Sequence, residues 1–165
     1  MASKTQGRLP YVLLVAAIIV LDRWTKTLIQ ARLGLNESIS VVDGFFNITY
    51  VRNTGVAFGM FSSISSPLKS ALLSAFTGLA AIVVIAYSMR SPVRNRLLQA
   101  ALALILGGAL GNLYDRLSYG YVVDFLEFYV GSYHWPSFNV ADSAISVGVT
   151  LLAIEIIRNE TPGRT

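Results

Sequence analysis

Two aspartates stand where ionised carboxylates are least expected. Asp142 lies near the start of "PSFNVADSAISVGVTLLAIEIIR", Pro136 to Arg158, which reads as a membrane-spanning helix. A charged Asp in hydrocarbon costs roughly 2.5 to 3.5 kcal/mol on insertion scales, so its presence needs a reason. Asp124 sits between Val123 and Phe125 in "GYVVDFLEFYV", an apolar, strand-like run in which burial raises a carboxyl pKa unless a partner compensates. Glu127, in the same run, reads as a solvent-facing residue of an alternating strand. Brought together at a low-dielectric interface, Asp124 and Asp142 could share one proton, since like charges a few Å apart do not both ionise readily. One carboxylate then activates water while its protonated partner polarises a carbonyl, which is aspartic-type amide hydrolysis. A proton-coupled carrier would also use two intramembrane acids, here with Lys26, and a non-catalytic scaffold would use them as helix caps. Spacing does not choose among the three.

Other polar residues gather near these acids. Asn139 and Asp142 are three apart and project from one helix face, with Ser143 and Ser146 nearby. If the helix enters hydrocarbon near Phe138, Asp142 lies about 6 Å deep at roughly 1.5 Å per residue, a depth that suits chemistry at an interface. Upstream, "LGGALGNLYDRL" places Gly107 and Gly111 four apart, a spacing that lets another helix approach closely. Asn112, Asp115 and Arg116 follow at i, i+3 and i+4 and share a face if the helix persists that far. Asp115 and Arg116 read equally well as an ion pair at a helix end.

Composition sets the solvent in which these residues must work. The 165 residues are 54% hydrophobic and 13% charged, against about 25% charged for a soluble domain. This is an integral membrane protein. Cysteine is absent, which excludes disulfides, thiolate metal sites, a cysteine nucleophile and cysteine lipidation. A single histidine, His134, excludes a multi-histidine metal site. No metal or other cofactor is expected. The net charge of +4 comes without a basic cluster interleaved with aromatics, so no nucleic-acid partner is expected.

The elements that must position the acids are four apolar runs, at about 9–30, 68–89, 97–113 and 138–157, none with a proline in its interior. Each approaches the roughly 20 residues a spanning helix needs. Lys4 and Arg8 before a short apolar run resemble a secretory signal, but no small-x-small cleavage site follows, and the run reads as an uncleaved span. Lys4, Arg8, Arg90, Arg94, Arg96, Arg158 and Arg164 fall on one side of a four-span layout, in short segments, and mark the cytoplasm. Arg23, Lys26, Arg32, Arg52, Lys69 and Arg116 belong to the other side or its interface. Both termini are then cytoplasmic. The long outer loop contains "SISVVDGFFNITYVRNTGVAFGMF", whose two β-branched and aromatic runs flank Asp43-Gly44, a dipeptide suited to a type I′ hairpin. "SSISS" with Pro67 marks the linker into the second span. The expected fold is a mainly α membrane protein forming one domain over 1–165, with a small β-element at about 38–60 on its outer face.

The succession "LDRWTK", "NTGVAF", "GGALGNLYDR", "VVDF" and "FNVADSAI" resembles the prokaryotic lipoprotein signal peptidase (signal peptidase II) family, in the family's order and over nearly the whole chain. The resemblance implies that Asp124 and Asp142 are the catalytic dyad. It implies that Asn112 and Asn139 orient the dyad or the substrate as uncharged partners, and that Arg116 and Asn53 hold the substrate chain. Asp22 and Lys26 would form a structural pair holding the first helix against the outer β-element, while Arg23 receives no role. The implied substrate is a diacylglyceryl-prolipoprotein, cut before its lipidated cysteine at the outer face of the bacterial inner membrane. Its helical segment must unwind locally, and the β-element with the loop near Asn53 would clamp it as an extended strand. Membrane lipids are the other expected partners, and a monomer is the expected working form.

Overall fold

A computed structural model describes residues 6–55 and 66–160 of the chain. The end of "NTGVAF", most of the "SSISS" linker, Lys4, Arg164 and the β-element beyond residue 55 lie outside the described residues.

Four long helices and four strands follow in the order α1 (Leu9–Arg32), β1 (Ser38–Val42), β2 (Phe46–Asn53), α2 (Ser66–Arg90), α3 (Arg96–Tyr119), β3 (Val122–Val130), β4 (Tyr133–His134) and α4 (Val140–Glu160). Leu68–Arg90, Arg96–Tyr119 and Val140–Arg158 are long and apolar enough to cross a membrane by length and composition. The chain is a mainly α membrane protein with a small open sheet. Side chains such as Leu72, Phe76, Leu79 and Ile82 point outward from α2, as they do when the surrounding solvent is lipid. α1 carries Asp22, Arg23 and Lys26, which lower its mean apolarity, but Asp22 and Lys26 are completely buried.

α3 is the central helix and packs against α1, α2 and α4. Glycines permit this closeness. A Cβ on Gly107 would lie 2.9 Å from the Ile18 side chain of α1, and one on Gly108 would lie 2.3 Å from the Ala141 carbonyl oxygen of α4. At Gly111 the missing Cβ leaves room for the Asp22 carboxylate, which would be 2.8 Å away. α3 also runs six residues past the 113 expected from hydropathy. Its polar last turns pack on α1 through Asn112 and Asp115, and the helix continues past Arg116. It ends at Gly120, whose φ of +79° only glycine adopts freely and whose N–H closes the helix on the Arg116 carbonyl.

The sheet is antiparallel in the order β1-β2-β3-β4. The expected outer β-element is therefore completed by the strand-like run after α3, a pairing that sequence spacing did not disclose. Between β1 and β2 only Gly44 has a positive φ and Asp43 does not, so the connection is not type I′. The Phe45 N–H donates to Val42 O at 3.0 Å, the closure of a turn with glycine at its third position. Ile29 and Leu33 at the end of α1 pack with Tyr50, Val123 and Phe125 in a small core beneath the sheet. Glu127 is not free in solvent, since it accepts from Asn47 at 2.8 Å and pairs with His134 at 3.1 Å.

Candidate active site

Asp124 lies on β3 opposite Val51 of β2, and Asn53 lies opposite Val122. The period of two along a strand puts Asp124 and Asn53 on one face as diagonal neighbours. Asn53 Nδ2 donates to Asp124 Oδ2 at 2.8 Å, and Asn53 Oδ1 accepts from the Gly55 N–H at 2.7 Å. The next constraint comes from Phe138, which bridges to Leu126 through two backbone hydrogen bonds while its carbonyl also accepts from the Phe125 N–H. This bridge brings Asn139 to Asp124. Asn139 Nδ2 donates to Asp124 Oδ1 at 2.7 Å. Phe138 is thus tied to the sheet rather than beginning the fourth span, and α4 starts at Val140.

Asn139 also caps α4. Its Oδ1 accepts the Asp142 N–H at 2.9 Å, while Asp142 Oδ2 accepts the Asn139 N–H at 3.3 Å, a reciprocal arrangement of the capping-box kind. Asp142 Oδ1 accepts from Asn112 Nδ2 at 2.7 Å. Both acids are therefore held by uncharged donors, and one residue, Asn139, touches both. Asp124 is 1% exposed, whereas Asp142 is half-buried. Burial, reinforced by the nearby Asp142 charge, pushes the Asp124 carboxyl up to about 7 despite the amides of Asn53 and Asn139 and the more distant Lys26, which pull the other way.

Beneath the acids lies a fully buried charge cluster. Lys26 Nζ is 2.8 Å from Asp22 Oδ2 and 2.9 Å from Asp115 Oδ2, and it donates to Asn112 Oδ1 at 3.1 Å. Asp22 Oδ2 accepts no aligned hydrogen bond, so the ammonium is its compensation as an ion pair. Arg23 pairs with Asp115 and stacks over the Tyr114 ring at 4.5 Å. The Asp22–Lys26 pair forms as the i, i+4 spacing predicts, but its contacts run to α3 and α4 rather than to the β-element. Asp22 Oδ1 accepts the Ala141 N–H at 3.0 Å.

Asp124, Asp142, Asn112, Asn139 and Asn53 come together at one end of the bundle. Asn53 is exposed, with its Nδ2 directed at the Asp124 carboxylate. Arg116 donates to neither acid among the described residues. It lines a groove of about 660 Å³ between α2 and α3 with Ser70, Ser74, Leu113 and Leu117, near enough to feel the charges of Asp142 and Asp124. A second cavity, of about 280 Å³, reaches Asp124 between Val51, Asn53, Pro136 and Ser137. No group of His, Cys, Asp and Glu able to hold a metal occurs among the described residues. Sequence reasoning missed Arg23 as the partner of Asp115. Its position three residues before Lys26 was the only available signal.

Fold and site together have the form of a membrane-embedded peptidase of the aspartic type. The family model described as signal peptidase (SPase) II matches residues 14–158. A lipoprotein signal peptidase of Geobacter sulfurreducens is 49% identical over 146 residues, 88% of this chain and 90% of that protein. One from Syntrophus aciditrophicus is 40% identical over 150 residues, 91% and 93% of the two chains. A bacterial membrane enzyme solved by the in meso method at 2.3 Å superposes with a TM-score of 0.82 at 30% identity, covering 94% of each chain. Another, at 1.9 Å, gives 0.80 at 32% identity over 89% of this chain and 92% of that one. The chain belongs to the signal peptidase II family.

Proposed function

We propose that this peptidase removes the signal peptide from diacylglyceryl-modified prolipoproteins, cutting before the lipidated cysteine with Asp124 and Asp142 as its dyad. The observation that carries the reading is the position of Asn139, hydrogen-bonded to both carboxylates at once. The elevated Asp124 carboxyl suits an acid that carries a proton near neutrality. The ionised member takes a proton from water as its oxygen attacks the scissile carbonyl. The protonated member donates to the developing oxyanion, and the proton taken from water passes to the departing amine. Asn112 and Asn139 hold the acids without removing the shared proton. Asn53 orients Asp124, and Arg116 faces the substrate chain along the α2–α3 groove.

In this reading all four helices cross the bacterial inner membrane, with both termini in the cytoplasm and the sheet on the outer face. α1 serves as a span because Asp22 and Lys26 are paired inside the bundle, where lipid need not solvate them. Asp142, in the first turn of α4, then sits at the depth of a lipid-anchored scissile bond. The protein acts as a monomer on a substrate delivered through the bilayer. A carrier would need a Lys26 free to change partners, whereas this one is fixed between two aspartates.

The test is cleavage of a diacylglyceryl-modified prolipoprotein in detergent by wild type, Asp124→Asn and Asp142→Asn, each checked for equal folding. Both variants are expected to lose at least about 100-fold in rate, the scale of general acid–base catalysis. Wild-type turnover by either variant would make that acid structural.

A further inference from the structure

We propose that Lys26 is a positioning residue for cleavage, holding the Asn112 amide in the orientation that donates to Asp142 and tying together the two backbone segments that carry Asp124 and Asp142. The proposal rests on the reading of those acids as the reacting pair. An ammonium donates hydrogen bonds and accepts none. With Lys26 Nζ 3.1 Å from Asn112 Oδ1, and Asn139 Nδ2 3.2 Å from the same oxygen, the Nδ2 end of Asn112 must face Asp142, where it lies 2.7 Å from Oδ1. Without the ammonium only the Asn139 amide opposes a flip, and that nitrogen is shared with Asp124 and the Val123 carbonyl. After a flip the Asn112 oxygen would confront the carboxylate, an arrangement only a protonated acid satisfies.

The same ammonium reaches both acids by a second, symmetrical route. Asp22 accepts the N–H of Ala141, the residue before Asp142. Asp115 accepts the N–H of Val123, the residue before Asp124. From Lys26 the path on each side is a carboxylate, a backbone N–H and then the reacting acid's own residue. An ion pair that only joined α1 to the bundle would need neither the Asn112 contact nor these two backbone bonds. Lys26, Asp22 and Asp115 all have 0% side-chain exposure, so the connections are not diluted by water.

The test compares wild type with Lys26→Met and with the charge-balanced Asp22→Asn/Lys26→Met variant, which leaves Arg23 and Asp115 paired. The charged groups near the two acids are Lys26 of α1 and Arg116 and Asp115 of α3, with Asp22 reaching the backbone beside Asp142. The readouts are kcat, KM, the pH profile of kcat and thermal unfolding. In the folded double variant kcat is expected to fall about tenfold or more, as when a reacting group is misplaced by a fraction of an ångström. KM should stay within about threefold of wild type, since substrate contacts are untouched. The acid limb of the profile should move to higher pH, because losing the donor that faces the Asp142 carboxylate favours the protonated pair. In an Asn112→Ala background the same change should cost little more. A folded double variant with wild-type kcat and pH profile overturns the proposal, as does a loss that simply adds to that of Asn112→Ala. Failure of the charge-balanced variant to fold overturns it too, by making the ammonium a requirement of the fold. Asp124→Asn and Asp142→Asn are run beside these, and wild-type turnover by either would sink the dyad reading whatever Lys26 does.

Discussion

Asn139 meets four demands with one residue. Its side-chain oxygen caps α4, its amide nitrogen holds Asp124, its backbone N–H reaches Asp142, and its carbonyl accepts from Ser143. Asn139→Ala is expected to lose about 1 kcal/mol from the cap and to lower activity by about 100-fold or more through the released acids. Asn139→Asp keeps a cap acceptor and loses the donor, so it should retain most of the stability and little of the activity. Thermal unfolding and cleavage rate, measured side by side, separate the two roles. Asp124 makes a further prediction through its protonation. Its folded-state value is raised from the ordinary 3.8 to about 7, so the folded state favours the protonated acid. That contribution is complete below about pH 4 and is lost as the pH rises through about 7. Asp124→Asn stays neutral throughout. It should match wild type in melting temperature at about pH 4 and exceed it at about pH 8, and a difference that does not vary with pH would contradict the burial argument.

At the scale of elements, the site depends on how closely α4 approaches α3. Gly108→Ala drives a Cβ to within 2.3 Å of the Ala141 carbonyl, one residue from Asp142. The expected cost is about 1–3 kcal/mol of overpacking, with a roughly 100-fold loss of rate if Asp142 moves by about 1 Å. Gly78→Ala on α2 is the control. A Cβ there meets nothing within 4 Å, so the change should be neutral or stabilising by up to about 1 kcal/mol, as alanine replaces glycine in a helix. Parallel melting curves and rates check both. The sheet places a limit on tests of the substrate clamp. Removing Ile39–Tyr50 would take Tyr50 from the core and much of β2 from β3, which carries Asp124. Trimming only the tip between β1 and β2 leaves that support in place. A raised KM with kcat unchanged would favour the clamp, and no change in either would remove it.

For the whole molecule, the prediction concerns orientation. Because the chain has no cysteine, any introduced thiol is the only one to label. Val41→Cys on β1 and Arg94→Cys between α2 and α3 both fall at exposed positions. A membrane-impermeant maleimide should label Val41→Cys in intact spheroplasts and Arg94→Cys only after lysis. The reverse pattern would invert the layout and carry the acids to the cytoplasmic face. The expectation follows from the bias of basic residues toward short cytoplasmic segments, a bias set during insertion rather than by tertiary contacts.

Much of this protein was legible along the chain because the bilayer simplifies the problem. Backbone groups without water must be satisfied within a helix, so apolar runs announced α1 to α4, and a lone acid in an apolar run announced Asp124 and Asp142. The motifs around them were sufficient to indicate the family. The sequence could not show that Asp124 and Asp142 share Asn139, because that depends on the backbone bridge from Phe138 to Leu126, a pairing with no local signature. Nor could it show that β3 completes the sheet begun by β1 and β2, or that Arg23 belongs to Asp115. The i, i+4 spacing gave Lys26 its Asp22 partner. Only the packing of α1 on α3 supplied Asp115 and Asn112, because long-range partners are chosen by which surfaces fit and which buried charges must be neutralised, and neither quantity is local in sequence.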